Sequence, residues 1–124
     1  MDKRPVNLDI GTIKLPITSY VSILHRISGV ILFAVVGIFL WALDTSLSSA
    51  EGFNAVVDMM SSPLCQIIIW LSLAALAYHM VAGIRHLIMD AGIGESLEGG
   101  RLGAKLVLVI AIILLVLLAG WVFL

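Results

Sequence analysis

Three long apolar runs dominate this sequence and limit it to folds that a lipid bilayer can surround. They cover residues 27–43, 63–84 and 106–124, and none of them contains Asp, Glu, Lys or Arg. A helix needs about 20 predominantly apolar residues to cross the hydrocarbon core of a membrane. Each run approaches or exceeds that length, so the sequence predicts an all-α integral membrane protein with three transmembrane helices.

Composition separates the chain from soluble proteins. Of its 124 residues, 61% are hydrophobic and only 12% are charged, whereas soluble domains have roughly 25% charged residues. The formal net charge of -1 argues against a nucleic-acid partner, which requires a basic face. The single cysteine, Cys65, excludes an internal disulfide and a cysteine-rich metal cluster, and it suits a small apolar position in a helix.

We expect a single membrane-anchor domain. Its parts are an N-terminal segment at 1–18 and transmembrane helices at about 19–43, 63–89 and 104–124. Ser19 or Ser22 is a candidate cap for the first helix. Pro16 suits a segment just before a helix start.

The second helix is predicted to continue beyond its charge-free run. It extends through Met89 and includes Arg85 and His86, while Asp90 and Gly92 mark its end.

The connections between the helices differ in charge, which predicts the orientation. The connection at 44–62 contains acidic residues but no Lys or Arg and is predicted to be an external loop, whereas the connection at 90–105 contains Arg101 and Lys105 and is predicted to be a cytoplasmic loop. Four basic residues also precede or begin the first helix: Lys3, Arg4, Lys14 and Arg26. The positive-inside rule therefore predicts a cytoplasmic N-terminus and a periplasmic C-terminus.

The first residues indicate the compartment. Residues 2–14 contain neither the apolar core of a secretory signal nor the Arg- and Ser-rich composition of a mitochondrial presequence. We therefore expect a multi-pass protein of a bacterial inner membrane.

Ionisable residues near or within the spans are the best candidates for function, because each costs roughly 2.5–3.5 kcal/mol on insertion scales. They form two groups, which are Ser22, His25 and Arg26 on the first helix and His79, Arg85 and His86 on the second. Because the second helix returns toward the cytoplasm, both groups are expected on the same side of the membrane. Ser22 and Arg26 are four residues apart and share one helical face.

The second helix has a face of small side chains around His79. This face consists of Ser72, Ala75, His79, Gly83 and His86. Small neighbours leave room for a flat macrocycle such as haem beside an imidazole ligand. There are two alternatives to haem binding. The small side chains serve only to let the helices pack closely, or His79 donates a hydrogen bond to a neighbouring helix and binds no metal. Spacing alone leaves these alternatives open.

A second chain is required if His79 binds haem. His25 and His86 are expected to lie closer to the membrane surface than His79, so this chain is not expected to supply both axial ligands of one iron.

Three stretches carry a family resemblance. They are RPVNLDI at 4–10, SILHRISGV at 22–30 and AYHMVAGIRHLIMD at 77–90. The combination of S-x-x-H-R and H-x-x-x-G-x-R-H in a three-helix chain closely resembles the cytochrome b556 membrane-anchor subunits of bacterial succinate dehydrogenase, or complex II.

The resemblance implies a subunit that is not catalytic alone and that helps to pass electrons to ubiquinone in respiration and the tricarboxylic acid cycle. The implied partners are a flavoprotein subunit, an iron-sulfur subunit, a second small anchor subunit and membrane lipid. The implied cofactor is a haem b shared between the two anchors, with ubiquinone as substrate. His79 matches the axial ligand of the haem iron, and the second ligand is expected from the other anchor.

The resemblance also assigns roles near the cytoplasmic surface. Ser22 and Arg26 match quinone-binding positions, where a hydroxyl donates to a quinone carbonyl and a guanidinium stabilises negative charge. Haem propionate contacts are implied for His25, Arg26, Arg85 and His86, with interfacial anchoring as the alternative for His25, Arg85 and His86.

Three other functions share some of these sequence features. A fumarate reductase-type quinol anchor shares this architecture but runs toward quinol oxidation, and the S-x-x-H-R match favours the succinate-oxidising side. A transporter or channel requires polar groups through the whole membrane depth or internal repeats, and here they cluster on one side. A cofactor-free structural anchor predicts that replacing His79 leaves the optical spectrum unchanged.

Overall fold

The computed structural model describes Val6 and residues 8–124. Lys3 and Arg4, which contribute to the predicted orientation and family resemblance, lie outside the described residues. The described part of the chain contains four helices and no strands: α1 (Ile17–Ser48), α2 (Ala50–Met60), α3 (Pro63–Asp90) and α4 (Leu97–Phe123). The all-α prediction is therefore confirmed.

Three of these helices, α1, α3 and α4, are long and apolar enough to cross a membrane. At 1.5 Å per residue α1 alone is about 48 Å long, so it exceeds the roughly 30 Å hydrocarbon core and extends beyond it. The chain is accordingly a multi-pass membrane protein.

Helix α1 begins slightly earlier than predicted. Its N-cap is Pro16, and no side chain caps the helix, so neither Ser19 nor Ser22 has the predicted capping role. The fixed φ of proline suits a helix start and replaces the expected hydroxyl cap. The helix ends at Ser48 and not at residue 43, so Asp44 and the residues up to Ser48 belong to α1.

The predicted external loop at 44–62 is mostly helical, which corrects the prediction. Helix α2 fills most of it, and the Ser49 hydroxyl caps α2 by accepting a hydrogen bond from the Gly52 amide at 2.9 Å. The turn from α1 into α2 is tight: a Cβ at Gly52 would collide with the carbonyl oxygen of Thr45. Glycine is therefore required at this corner.

Helix α3 ends as expected, but α4 begins before its predicted position. Ala91 is the C-cap of α3, and Gly92 follows with a φ of 86°, which favours glycine. Ser96 then caps α4 through the Gly99 amide at 3.0 Å. The connection is therefore only 91–96, and the predicted cytoplasmic loop at 90–105 is wrong beyond Ser96.

Helix α3 lies between α1 and α4, and α1 also contacts α4. The core consists of Val21, Ala82, Ala104 and Val107, all buried. Small side chains let membrane helices approach closely. These residues lie toward the end of the bundle that contains the start of α1 and the α3–α4 connection, so this core adjoins the predicted site.

Candidate functional site

Helices α1 and α3 bring His25 and His79 into direct contact. Their imidazole rings are stacked, with centroids 4.3 Å apart and an angle of 22° between the ring planes. Both side chains are partly buried. The prediction that polar residues of the first and second spans meet on one side of the membrane is supported by this pair.

The Nδ1 atom of His79 is held by two groups of α1. It lies 3.0 Å from the Ser28 hydroxyl oxygen and 3.2 Å from the carbonyl oxygen of His25. A carbonyl oxygen only accepts hydrogen bonds, so Nδ1 must be the protonated nitrogen in this arrangement. The neutral ring then has its lone pair on Nε2, the form that binds a metal.

The Nε2 atom of His79 forms no hydrogen bond with any described residue. His25 shows a related feature, because its Nε2 is buried without a hydrogen-bond partner in the described part of the chain. Buried polar atoms are rarely left unpaired. The Nε2 atom of His79 is not buried in this way, so a group from outside this chain can reach it.

Gly29 and Gly83 let the helix backbones approach the two imidazole rings closely. A Cβ at Gly29 would lie 3.3 Å from Cε1 of His79, and a Cβ at Gly83 would lie 3.5 Å from Nε2 of His25. Of the predicted small-residue face of α3, His79 and Gly83 therefore lie against α1, whereas His86 is exposed. The donor set, with one imidazole fixed through Nδ1 and small residues beside it, fits a haem ligand.

The two histidines lie at nearly the same depth, which differs from the expectation that His25 is closer to the surface. Their stacked rings turn faces toward each other, whereas two axial ligands point their nitrogens at one iron from opposite sides. These two rings are therefore not arranged to bind one iron from opposite sides. No cluster of three or more His, Cys, Asp or Glu side chains occurs among residues 8–124 that would hold a different metal.

Ser22 and Arg26 lie on the exposed surface of α1. Neither side chain has a hydrogen-bond or ion-pair partner within the described residues. Their spacing of one helical turn places both on the same face. The hydroxyl and the guanidinium are therefore available to a molecule or a chain outside the bundle, and their assignment to a quinone site stays a prediction.

Arg85 and His86 do not contact His79. Arg85 donates from a terminal guanidinium nitrogen to the Gly100 carbonyl of α4 at 3.1 Å, and its Nε is packed against Gly103. His86 lies on the exposed surface, with Nε2 3.7 Å from a carboxylate oxygen of Asp90. Arg85 thus faces α4, away from the His25–His79 pair, and the propionate contacts remain predictions.

Ser28 and Gly29 were not singled out by the sequence pattern. The available signal was a serine in the apolar run, three residues after His25, because that spacing places it one turn further along the helix. Such a serine usually bonds back to its own helix. Only the relative rotation of α1 and α3 reveals that its oxygen also reaches His79.

The sequence matches known membrane proteins along most of its length. Residues 1–118 match the family model described as "Succinate dehydrogenase/Fumarate reductase transmembrane subunit". A succinate dehydrogenase cytochrome b556 subunit of Coxiella burnetii is 38% identical over 121 residues, which is 97% of this chain and 97% of that protein.

Two further relatives have the same name. The protein of Rickettsia prowazekii is 36% identical over 94% of this chain and 91% of its own length. The protein of Paracoccus denitrificans is 32% identical over 92% of this chain and 88% of its own length. With the fold and the predicted motifs in agreement, the chain belongs to the family of succinate dehydrogenase and fumarate reductase transmembrane subunits.

Proposed function

We propose that this chain is a membrane-anchor subunit of succinate dehydrogenase that holds a b-type haem and forms part of a ubiquinone site. Family membership and the name shared by the three relatives support the assignment. The observation that carries the haem assignment is the state of His79, whose Nδ1 is hydrogen-bonded to α1 while Nε2 has no partner among the described residues.

His79 would be the axial ligand from this chain, and a histidine of a second small anchor subunit would be the other. A bound b-type haem supplies a one-electron redox centre in the membrane. His25 would donate a hydrogen bond to a propionate from its unpaired Nε2, which is buried beside Gly83 and would first have to turn outward. Arg26 has the charge for the same contact, whereas Arg85 and His86 would require a change of side-chain conformation.

Ser22 and Arg26 would bind ubiquinone at the cytoplasmic end of α1. The Ser22 hydroxyl donates a hydrogen bond to a quinone carbonyl oxygen, and the Arg26 guanidinium stabilises the negative charge that accumulates on the ring during reduction. Because both side chains are exposed in this chain, other subunits would complete the site and exclude water from it.

The proposed setting is a bacterial inner membrane, with the N-terminus in the cytoplasm. Electrons from succinate reach the quinone through the flavoprotein and iron-sulfur subunits, and protons come from the cytoplasmic side. The exposed connection 91–96, which contains Glu95, and the start of α4 lie at the same end of the bundle as the start of α1.

The haem assignment is tested by a reduced-minus-oxidised optical spectrum of the complex, purified from native membranes through a tag on this chain. We expect a b-type signal in the natural complex and its loss or shift in a His79→Ala variant. A natural complex without haem would exclude the cytochrome assignment and favour a quinone-binding or purely structural anchor. A haem signal unchanged by His79→Ala would exclude His79 as the ligand.

The quinone assignment is tested by comparing two electron acceptors in the same preparation. In Ser22→Ala and Arg26→Ala variants we expect ubiquinone reduction by succinate to fall roughly tenfold or more. Reduction of a soluble dye by the flavoprotein and iron-sulfur subunits should be unchanged. Ser46→Ala, at the other end of α1, is the matched control. Normal ubiquinone reduction in both test variants would contradict the assignment.

A further inference from the structure

We propose that Ser28 is a positioning residue for the haem ligand, because its hydroxyl, together with the carbonyl oxygen of His25, accepts the Nδ1–H of His79 and so leaves Nε2 as the nitrogen free to bind iron. This inference rests on the proposed function, since it concerns how His79 is prepared to bind iron. It assigns a role to a residue of α1 that lies outside the recognised motif positions.

The direction of the hydrogen bonds follows from the atoms around Ser28. Its hydroxyl donates to the carbonyl oxygen of His25, one turn earlier in α1, at a distance of 2.6 Å. A serine has only one O–H to donate. With that proton used, the Ser28 oxygen faces Nδ1 of His79 at 3.0 Å as an acceptor.

A second acceptor confirms the same direction. The carbonyl oxygen of His25 lies 3.2 Å from the same Nδ1, and it has no proton to give. Both neighbours therefore accept from Nδ1. Protonated Nδ1 leaves the lone pair of the neutral ring on Nε2, away from α1.

Burial protects the hydrogen bond between Ser28 and His79 from competition by water. Ser28 is 5% exposed, so water does not compete for Nδ1 at this position. The adjacent ring of His25 is stacked on His79 at 4.3 Å and limits rotation of the imidazole. Ser28 thus restrains both the tautomer and the orientation of the ring, the two properties that partners of metal-bound histidines control.

The hydrogen bond at Nδ1 is expected to change how strongly the His79 imidazole donates electron density to iron. An acceptor at Nδ1–H makes the imidazole a stronger donor through Nε2. A stronger donor favours the ferric over the ferrous state, so this bond lowers the reduction potential of the haem. Removing the Ser28 hydroxyl leaves only the more distant carbonyl oxygen of His25, at 3.2 Å, as an acceptor for Nδ1–H, so the potential should rise.

Ser72 shows what a serine without this role looks like. It is also buried, and its hydroxyl donates to the carbonyl of Ile68 in its own helix at 2.7 Å, without a polar contact to another helix. Ser72 and Ser28 therefore share burial and back-bonding and differ in the contact with His79. Ser72→Ala is the matched control.

The test compares Ser28→Ala, Ser28→Thr and Ser72→Ala in the whole purified complex. Threonine keeps the hydroxyl, and Ser28 lines a cavity of about 320 Å³ that offers space beside it for the added methyl group. The measurements are haem content, the midpoint potential from optical redox titration, and the electron paramagnetic resonance spectrum of the ferric haem, which reports axial ligand orientation.

We expect Ser28→Ala to raise the potential and to shift or broaden the ferric resonance. Complete loss of haem in Ser28→Ala would support the role more strongly if Ser28→Thr retained it. Ser28→Thr should resemble the natural complex, and Ser72→Ala should leave all three measurements unchanged.

Two results would overturn the inference while the proposed function stands. One is a Ser28→Ala complex whose potential and resonance equal those of the natural complex and of Ser72→Ala. The other is an equal loss of haem in both Ser28 variants, which would assign the effect to packing. By contrast, haem that is absent from the natural complex or independent of His79 would overturn the proposed function itself.

Discussion

Gly29 lies against the ring of His79, and a single added carbon there tests how firmly the ring is held. A Cβ at this position would lie 3.3 Å from Cε1 of His79, closer than ordinary carbon contacts. The ring has little freedom to withdraw, because Nδ1 is bonded to α1 and one face is stacked on His25. We therefore expect Gly29→Ala to reduce the haem content of the complex or to lower the temperature at which haem is lost on heating.

Gly37 provides the control on the same helix. A Cβ at Gly37 would meet no atom within 4 Å, and alanine is the better helix former. Gly37→Ala should therefore retain the natural haem content and spectrum. Equal behaviour of the two variants would show that Gly29 is not a close contact of the haem ligand.

At the scale of single residues, the sequence singled out His79 as a candidate because a polar residue in an apolar span is expensive, whereas the roles of Ser22 and Arg26 came from the family resemblance; all three remain predictions. The sequence could not identify the bond between Ser28 and His79. Spacing along one helix fixes which residues share a face, but it does not fix how two helices are rotated against each other. The depth of His25 relative to His79 was misjudged for the same reason.

Between helices, Tyr78 links α3 to α1 directly beside the site. Its phenolic O–H donates to the Val21 carbonyl of α1 at 2.8 Å. Hydrogen bonds between membrane helices contribute about 0.5–1.5 kcal/mol. We expect Tyr78→Phe to destabilise the complex by about that amount, measured as a lower midpoint of thermal denaturation in detergent, with haem content retained at low temperature.

Tyr20 is the matched control for this prediction. It lies exposed on α1, and its hydroxyl has no hydrogen bond to the described residues. Tyr20→Phe should leave the denaturation midpoint unchanged. A Tyr78→Phe complex as stable as the natural one would mean that this bond adds nothing to the association of α1 and α3.

At the scale of elements, the three spans were predictable from apolar length, but the connections were not. Residues 44–62 were assigned to a loop from their charge and serine content, yet Ser49 caps α2. Phe53, Val56, Val57 and Met60 follow the spacing of one helical face. Similarly, Ser96 caps α4 ahead of its apolar run. Serine favours caps as well as loops, so composition alone could not separate the two.

The whole molecule has a small internal core and a large apolar surface, as expected of a chain that packs against lipid and other subunits. Its orientation can be tested independently of haem. We expect a cysteine at position 54 in α2 to react with a membrane-impermeant maleimide on intact spheroplasts. A cysteine at position 95, before α4, should react only after permeabilisation.

The variants for this test are Asn54→Cys and Glu95→Cys in a Cys65→Ala background, since both positions are exposed and Cys65 is the sole natural cysteine. Cys65→Ala alone gives the background labelling. Labelling of position 95 from outside would reverse the proposed orientation and would remove Ser22 and Arg26 from the cytoplasmic surface.

The requirement for a second anchor follows from the arrangement of the two histidines. Stacked rings 4.3 Å apart do not approach one iron from opposite sides, so His25 and His79 of one copy cannot both be axial ligands of the proposed haem. We therefore expect the chain expressed alone in membranes to lack the low-spin b-type spectrum, and coexpression with the second anchor subunit to restore it. Equal amounts of this chain, measured through its tag, are required in both preparations. If the chain alone gave the full low-spin spectrum, two copies would have to share the haem through their His79 side chains, and adding His79→Ala would then abolish it. That result would replace the proposed two-subunit site with a homodimeric one.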